Sequence, residues 1–181
     1  AITSADSVTA IGNDAATNVT SGGYSTAVGA GAYFTNSTGT NNTAIGRFSL
    51  RSSPGSNNVA LGKDSGEALS SGSQNIIIGS NTGDQYPTTG SGNVLIGNNI
   101  DAAATDSART LKIAGYDGST TTTWISGDSS GNLTFAANTT IGGNLILGSA
   151  TVTEAQAEIL DGATVTTTEL NLIDGGATIG T

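Results

Sequence analysis

The sequence predicts a mostly-β chain whose first hundred residues wind into a β-roll or β-solenoid of about 17-residue coils. Three observations carry that expectation. A short phrase recurs six times: "VTAIG", "STAVG", "NNTAIG", "NNVALG", "QNIIIG" and "GNVLIG", ending at Gly12, Gly29, Gly46, Gly62, Gly79 and Gly97. The spacings between those glycines are 17, 17, 16, 17 and 18 residues. A second glycine (Gly22, Gly39, Gly55, Gly72, Gly90) stands seven residues before the end of each of the last five phrases. The third observation is composition. Glycine occurs 27 times in 181 residues, charged residues make up 10% and aromatics 4%, while Thr, Val and Ile are abundant. β-Branched residues favour strands, and so few large side chains leave too little apolar area for an ordinary globular core.

Within residues 1–100 each unit reads as strand, corner, variable loop and return. In "TAIG", "VALG" and "IIIG" alternate side chains face opposite sides. One small or apolar residue fills a narrow interior while its neighbours look outward. A glycine ends each strand because a corner needs positive φ or a close approach of backbone. The Asn or Ser before each strand suits a turn, its side chain bonding nearby backbone groups. Coils stacked at the inter-strand spacing of about 4.8 Å give a rod roughly 25–30 Å long for six units. Such a rod keeps an outward apolar stripe at Ile11, Val28, Ile45, Leu61, Ile77 and Leu95 or their neighbours. A stripe of this kind calls for a partner, and three identical rods around one axis would bury it. A homotrimer is therefore expected.

Beyond Asn99 the pattern changes, and residues 101–150 read as a β-rich connector. "DAAATDSARTLKIAG" breaks the repeat and leads into a strand at 110–114. "YDGSTTTTWISGDSSGNLTFAANTTIGGNLILG" alternates along short strands joined by tight turns at "DG", "GDSSGN" and "GGN". Residues 151–181 carry a different repeat, offset by 13 residues, which aligns Leu160 with Ile173, Asp161 with Asp174 and Gly162 with Gly175. Each copy begins with a capping box, Thr153 with Gln156 and Thr166 with Glu169, and ends at Asp-Gly. Two short helices are predicted, at 154–160 and 167–173. Neither is long enough to be stable alone.

Taken together, "STAVGAGA", "NNTAIG" and "NNVALGKDSGEALSSGSQNIIIGSNTGDQYPTTGSGNVLIG" resemble the head repeats of trimeric autotransporter adhesins. They are more similar still to repeats of phage tail fibres and tail spikes, often found upstream of a self-cleaving chaperone domain. The resemblance covers residues 5–100. "WISGDSSGNLTF" resembles the segment that follows such repeats in phage fibres, which implies an interwoven β shaft shared by three chains. "TxxELNxL/IDG" resembles a repeat of marine phage tail proteins. These resemblances imply a virion protein: a structural fibre of a phage tail or head, extracellular, engaging other tail proteins and attaching to a host cell-surface glycan or protein. The alternatives are a trimeric adhesin on a bacterial cell surface and a glycan-degrading tail spike.

The residue types present narrow the chemistry. The chain has no His and no Cys, so Ser-His-Asp and Cys-His catalysis and Cys/His zinc sites are excluded. A net charge of −9 repels nucleic-acid phosphates, and no apolar run is long enough to enter a membrane. Paired carboxylates remain, as glycoside hydrolysis would require. Asp64 and Glu67 share one coil turn but read better as a solvated turn. The Asp-rich turns "GYDGS" and "SGDSSGN" match no calcium-loop spacing and read as ordinary turns. No catalytic residue, metal ligand or cofactor is expected. Aromatic faces able to stack on sugar rings are the candidate ligand contacts, with Tyr86, Tyr24 and Tyr33 foremost. Trp124 and Phe34 belong to the same class but are assigned to coil edges or a trimer core.

Overall fold

The structure is a computed structural model describing residues 7–35, 38–52, 55–85, 89–104 and 106–137. All of them lie in a first unit spanning 1–139. The helices expected at 154–160 and 167–173 and the connector beyond 137 lie outside the described residues.

Nine strands form one sheet in sequence order, and no helix occurs among the described residues. The first six are three-residue strands: β1 (Thr9–Ile11), β2 (Thr26–Val28), β3 (Thr43–Ile45), β4 (Val59–Leu61), β5 (Ile76–Ile78) and β6 (Val94–Ile96). Each pairs in parallel with the next in unbroken register, so Ala27 lies over Ala10, then Ala44, Ala60, Ile77 and Leu95 in one column. This is a β-solenoid of about 17 residues per coil. The stack does not stop where the phrase is lost. β7 (Leu111–Tyr116) pairs in parallel with β6, placing Lys112 over Leu95. β8 (Thr121–Gly127) and β9 (Leu133–Phe135) then add antiparallel, as a meander within the one chain.

Backbone hydrogen bonds run between coils at the corners as well as in the strands. The amides of Tyr33, Leu50, Gly66 and Gly83 donate to Ser49, Ser65, Thr82 and Ile100 carbonyls, each one coil along, at 2.7–2.9 Å. A coil therefore satisfies its neighbour around much of its circuit, which is how a chain with so few large side chains holds a fixed shape. The corner geometry is strict. Gly12, Gly29, Gly46, Gly62, Gly79 and Gly97 all have φ between 130° and 148°. The second glycine column works differently. A Cβ at Gly55, Gly72 or Gly90 would collide with the carbonyl oxygen of Gly72, Gly90 or Ser107 in the next coil. Close approach, not positive φ, holds glycine there.

The interior is filled from two directions in turn. In the second and third coils the strand supplies only Ala27 and Ala44, and the volume comes from Tyr33 and Leu50 at the far corner, all fully buried. In the fourth coil both places are small, Ala60 and Gly66, and in the fifth the corner is Gly83 while the volume comes back from the strand as Ile77. A Cβ on Gly66 would press on the side chains of both Leu50 and Ile77, which meet in the space it leaves. Large and small residues trade places so that the bore stays filled.

Ile77 and Leu95 therefore point inward, at 3% exposure each, and the outward places in their coils are taken by Ile76 with Ile78 and by Val94 with Ile96. The expected stripe runs through these neighbours.

Candidate functional site

Three features of the stack and the meander bear on function: a buried polar ladder, an outward apolar face and a set of exposed rings. The ladder comes from the residue before each strand. Asn42, Asn58, Asn75 and Asn93 are buried one above another. Asn58 Oδ1 accepts the backbone N–H and the Nδ2 of Asn75, both at 3.0 Å, while Asn58 Nδ2 donates to Asn42 Oδ1 at 3.1 Å and to the Gly72 carbonyl at 3.0 Å. The same four bonds repeat at Asn75, and Thr110 N and Oγ1 end the ladder on Asn93 Oδ1. These side chains were expected to serve local turns. They bond instead to the neighbouring coil, because stacking brings identical amides together at strand spacing. The carbonyls of Gly55, Gly72 and Gly90 accept from the Asn42, Asn58 and Asn75 amides, and the Ser107 carbonyl takes that place for Asn93.

Tyr33 belongs to this ladder. It is wholly buried, its hydroxyl donates to the Gly39 carbonyl at 2.6 Å, and it accepts from Asn42 Nδ2 at 2.7 Å. Its ring offers no face to a sugar, so the expected glycan contact at Tyr33 is corrected: the residue is a core post that starts the asparagine column. Tyr24 is 62% exposed at a positive-φ corner and keeps its ring in solvent. Tyr86 lies outside the described residues. Phe34 is half-buried, lining a groove with Phe48, Arg47 and Arg51. The structure does not bring Tyr24 and Tyr33 together as one site.

The carboxylates considered for catalysis are tied to basic side chains. Asp64 is ion-paired with Lys63 and, at 3.5 Å, with Arg47 from the coil before; Glu67 pairs with Arg51 at 3.1 Å. Both guanidinium carbons also lie within 4.6 Å of the Phe48 ring centroid. The cluster reads as cross-coil bracing. Asp84 differs: its Oδ1 is buried without a partner, and burial, reinforced by the negative charge of Asp101, raises its pKa. The aspartates of the two Asp-rich turns serve those turns. Asp117 accepts the amides of Ser119 and Thr120, at 2.9 and 2.8 Å, and Asp128 accepts Asn132 Nδ2 at 2.8 Å and the amides of Ser130 and Asn132. Those bonds lower both pKa values, through the Thr120 amide first for Asp117 and the Asn132 side chain first for Asp128. Among the described residues no group of three or more potential metal ligands stands together, and no helix is long and apolar enough to cross a membrane.

The outward face of the coil strands exposes apolar side chains. Ile45, Val59, Leu61 and Ile76 are all more than a third exposed. Register carries this face onto the meander: Ile113 pairs with Ile125, and Ile125 pairs with Phe135, which is half exposed. Paired residues share a side of a sheet, so the apolar face runs on from the coils to the last strand. Its make-up shifts along the way, from Thr26 and Thr43 in the early coils to Val59, Ile76, Val94 and Leu111 later.

Trp124 sits in a local geometry that the sequence does not announce. The β7–β8 register jumps between Ile113 and Ala114, from Ile125 to Thr123, which leaves Trp124 as a bulge. The indole lies across Gly115, where a Cβ would strike the ring, and Trp124 remains 56% exposed beside Tyr116. A "TTTTWIS" run gives no sign of a bulge, although a glycine in the facing strand is the kind of site where one is found. Compared with known proteins, the chain matches no family model, no curated protein and no solved structure.

Proposed function

We propose that the chain is a non-enzymatic structural segment of a bacteriophage tail or head fibre, homotrimeric, which carries the virion's attachment to the host surface. The observation that supports this most is the apolar face on a stack whose interior is already closed. Ile45, Leu61 and Ile76 stay 38%, 46% and 41% exposed after packing on the chain's own coils, and contiguous apolar area of this kind marks an association surface. A partner built on the same coil rise matches the stripe rung for rung, and three copies around an axis cover every stripe equally. Stacked coils supply stiffness and the shared seam supplies stability, as a host-contact fibre requires.

Sedimentation equilibrium tests the assembly. The expected mass is three times the 17.7 kDa of the chain, falling to one chain for Ile78→Glu, which puts a charge into the seam. A wild-type monomer at micromolar concentration removes the reading. The setting is tested by the full reading frame: a chaperone or receptor-binding tip after these repeats supports the fibre, and a membrane-anchoring barrel segment supports a bacterial surface adhesin instead.

A further inference from the structure

We propose that the overhanging tip of the β7–β8 hairpin is a binding platform for a neutral saccharide, with Trp124 as its stacking surface. In the six coils below, the chain turns away at a glycine directly after the third strand residue. In the seventh that position is Ala114, and β7 runs straight on through Gly115 and Tyr116. Residues 115–122 thus project past the corner column rather than over it, held by the Thr121 hydroxyl on the Asn99 carbonyl at 3.3 Å. On this projection Gly115, Tyr116, Asp117, Thr120, Thr122 and Trp124 line a groove of about 310 Å³.

The parts fit a sugar ring. The bulge aims Trp124 at the tip, as bulges beside binding sites do. The indole lies against Gly115, whose missing side chain makes room for the ring, and Trp124 keeps 56% of its surface exposed. Tyr116 is fixed, its hydroxyl donating to the Gly118 carbonyl at 2.8 Å. An aromatic residue already held costs little ordering on binding. An aromatic face attracts the C–H edges of a pyranose, while a carboxylate and two threonine hydroxyls suit its hydroxyl groups. Asp117 stays ionised because the Thr120 and Ser119 amides hold its charge, and the chain carries −9 overall. Both select against acidic sugars. An apolar peptide would leave that carboxylate unanswered.

This proposal rests on the attachment reading for the origin of its ligand, and its test separates the two. Trp124 is the chain's single tryptophan, so fluorescence excited selectively at the indole, beyond tyrosine absorption, reports on this site alone. The full chain is titrated with maltohexaose and with the hexamer of N-acetylglucosamine, with an oligogalacturonate as the acidic control. Acrylamide quenching and sedimentation mass are measured on the same samples. The expected result is ready quenching by acrylamide, protection by at least one neutral hexasaccharide with a saturable emission shift, and no response to oligogalacturonate. By calorimetry, Trp124→Ala should weaken that binding tenfold or more at unchanged mass, and Trp124→Phe should weaken it less. Quencher protection of the wild-type indole without sugar, together with loss of the oligomer in Trp124→Ala, would show that a second copy covers the indole and would overturn the platform while supporting the assembly. An accessible indole that answers neither neutral sugar overturns it as well and leaves the assembly untouched.

Discussion

The coil stack and the meander that ends it are one continuous sheet, yet only the stack has an inside. In β2 to β6 the middle residue is buried and its neighbours are not. In β8 and β9 no residue is buried at all. The difference lies in how each is closed. From the second coil on, the chain returns over the sheet with Tyr33, Leu50, Leu69 and Ile100 buried on the way, whereas β8 and β9 turn back in the plane of the sheet and, among the described residues, none returns to bury them. Lys112 marks the change. It occupies the interior column above Leu95, and its ammonium reaches the Asp101 carbonyl at 3.1 Å. A charged residue in that column closes the bore and ends the winding, as capping units do in other stacked-repeat proteins. The comparison teaches that the stack can hold itself together while the meander depends on what covers it.

Several substitutions would break or sharpen that contrast. The largest effect belongs to the stack's interior. Asn58→Leu keeps the side-chain branching but strips the Asn75 amide and side chain of their acceptor and the Gly72 carbonyl of its donor. Denaturant unfolding should show a loss of at least about 3 kcal/mol, since each buried orphan costs roughly 1–3 kcal/mol. A loss under 1 kcal/mol would mean that the ladder is ornamental. Next comes Gly72→Ala, whose methyl meets the Gly90 carbonyl and forces the coils apart. Overpacking of this kind costs about 1–3 kcal/mol, and hydrogen exchange should quicken in the coils on either side first.

On the meander, Phe135→Ala should change the stability of an isolated chain by no more than about 0.5 kcal/mol, as expected for a half-exposed side chain. The same substitution should weaken self-association clearly in sedimentation. An equal effect on both would mean that the last strand is already covered by its own chain. The smallest effect concerns Asp84. Its pKa is raised, so the folded state holds the proton more tightly than the unfolded chain does. The stability this gives is complete below the ordinary aspartate value of about 3.9 and is lost as pH rises through the folded value. Asp84→Asn should therefore raise Tm at pH 7 and leave it unchanged at pH 3.

The period and the corners were legible because both are written in glycine, the one residue whose absence of a side chain cannot be replaced cheaply. Ala27, Ala44 and Ala60 as an inner column followed from strand alternation. The asparagine ladder was not legible, since an Asn before a strand has a local explanation that serves equally well until coils are stacked. Tyr33 was misjudged for a related reason. Exposed rings and core rings look alike in sequence, and only the alanines facing it leave room for a buried one. Most other corner positions give no signal: Tyr24, Phe48 and Leu50 all hold positive φ, imposed by the coils around them against their own preference. The seventh coil went unseen because Ala114 stands where a glycine was sought, although its 17-residue distance from Gly97 was in plain view.

The face that joins these regions is tested most directly by paired single-cysteine variants, which a chain without native cysteine permits. On mild oxidation Ile78→Cys should form a disulfide between copies, while Ile77→Cys, one residue away but turned into the bore, should form none. Free, rapidly labelled thiols at position 78 with no inter-chain disulfide, or cross-linking at 77 as readily as at 78, would contradict the account.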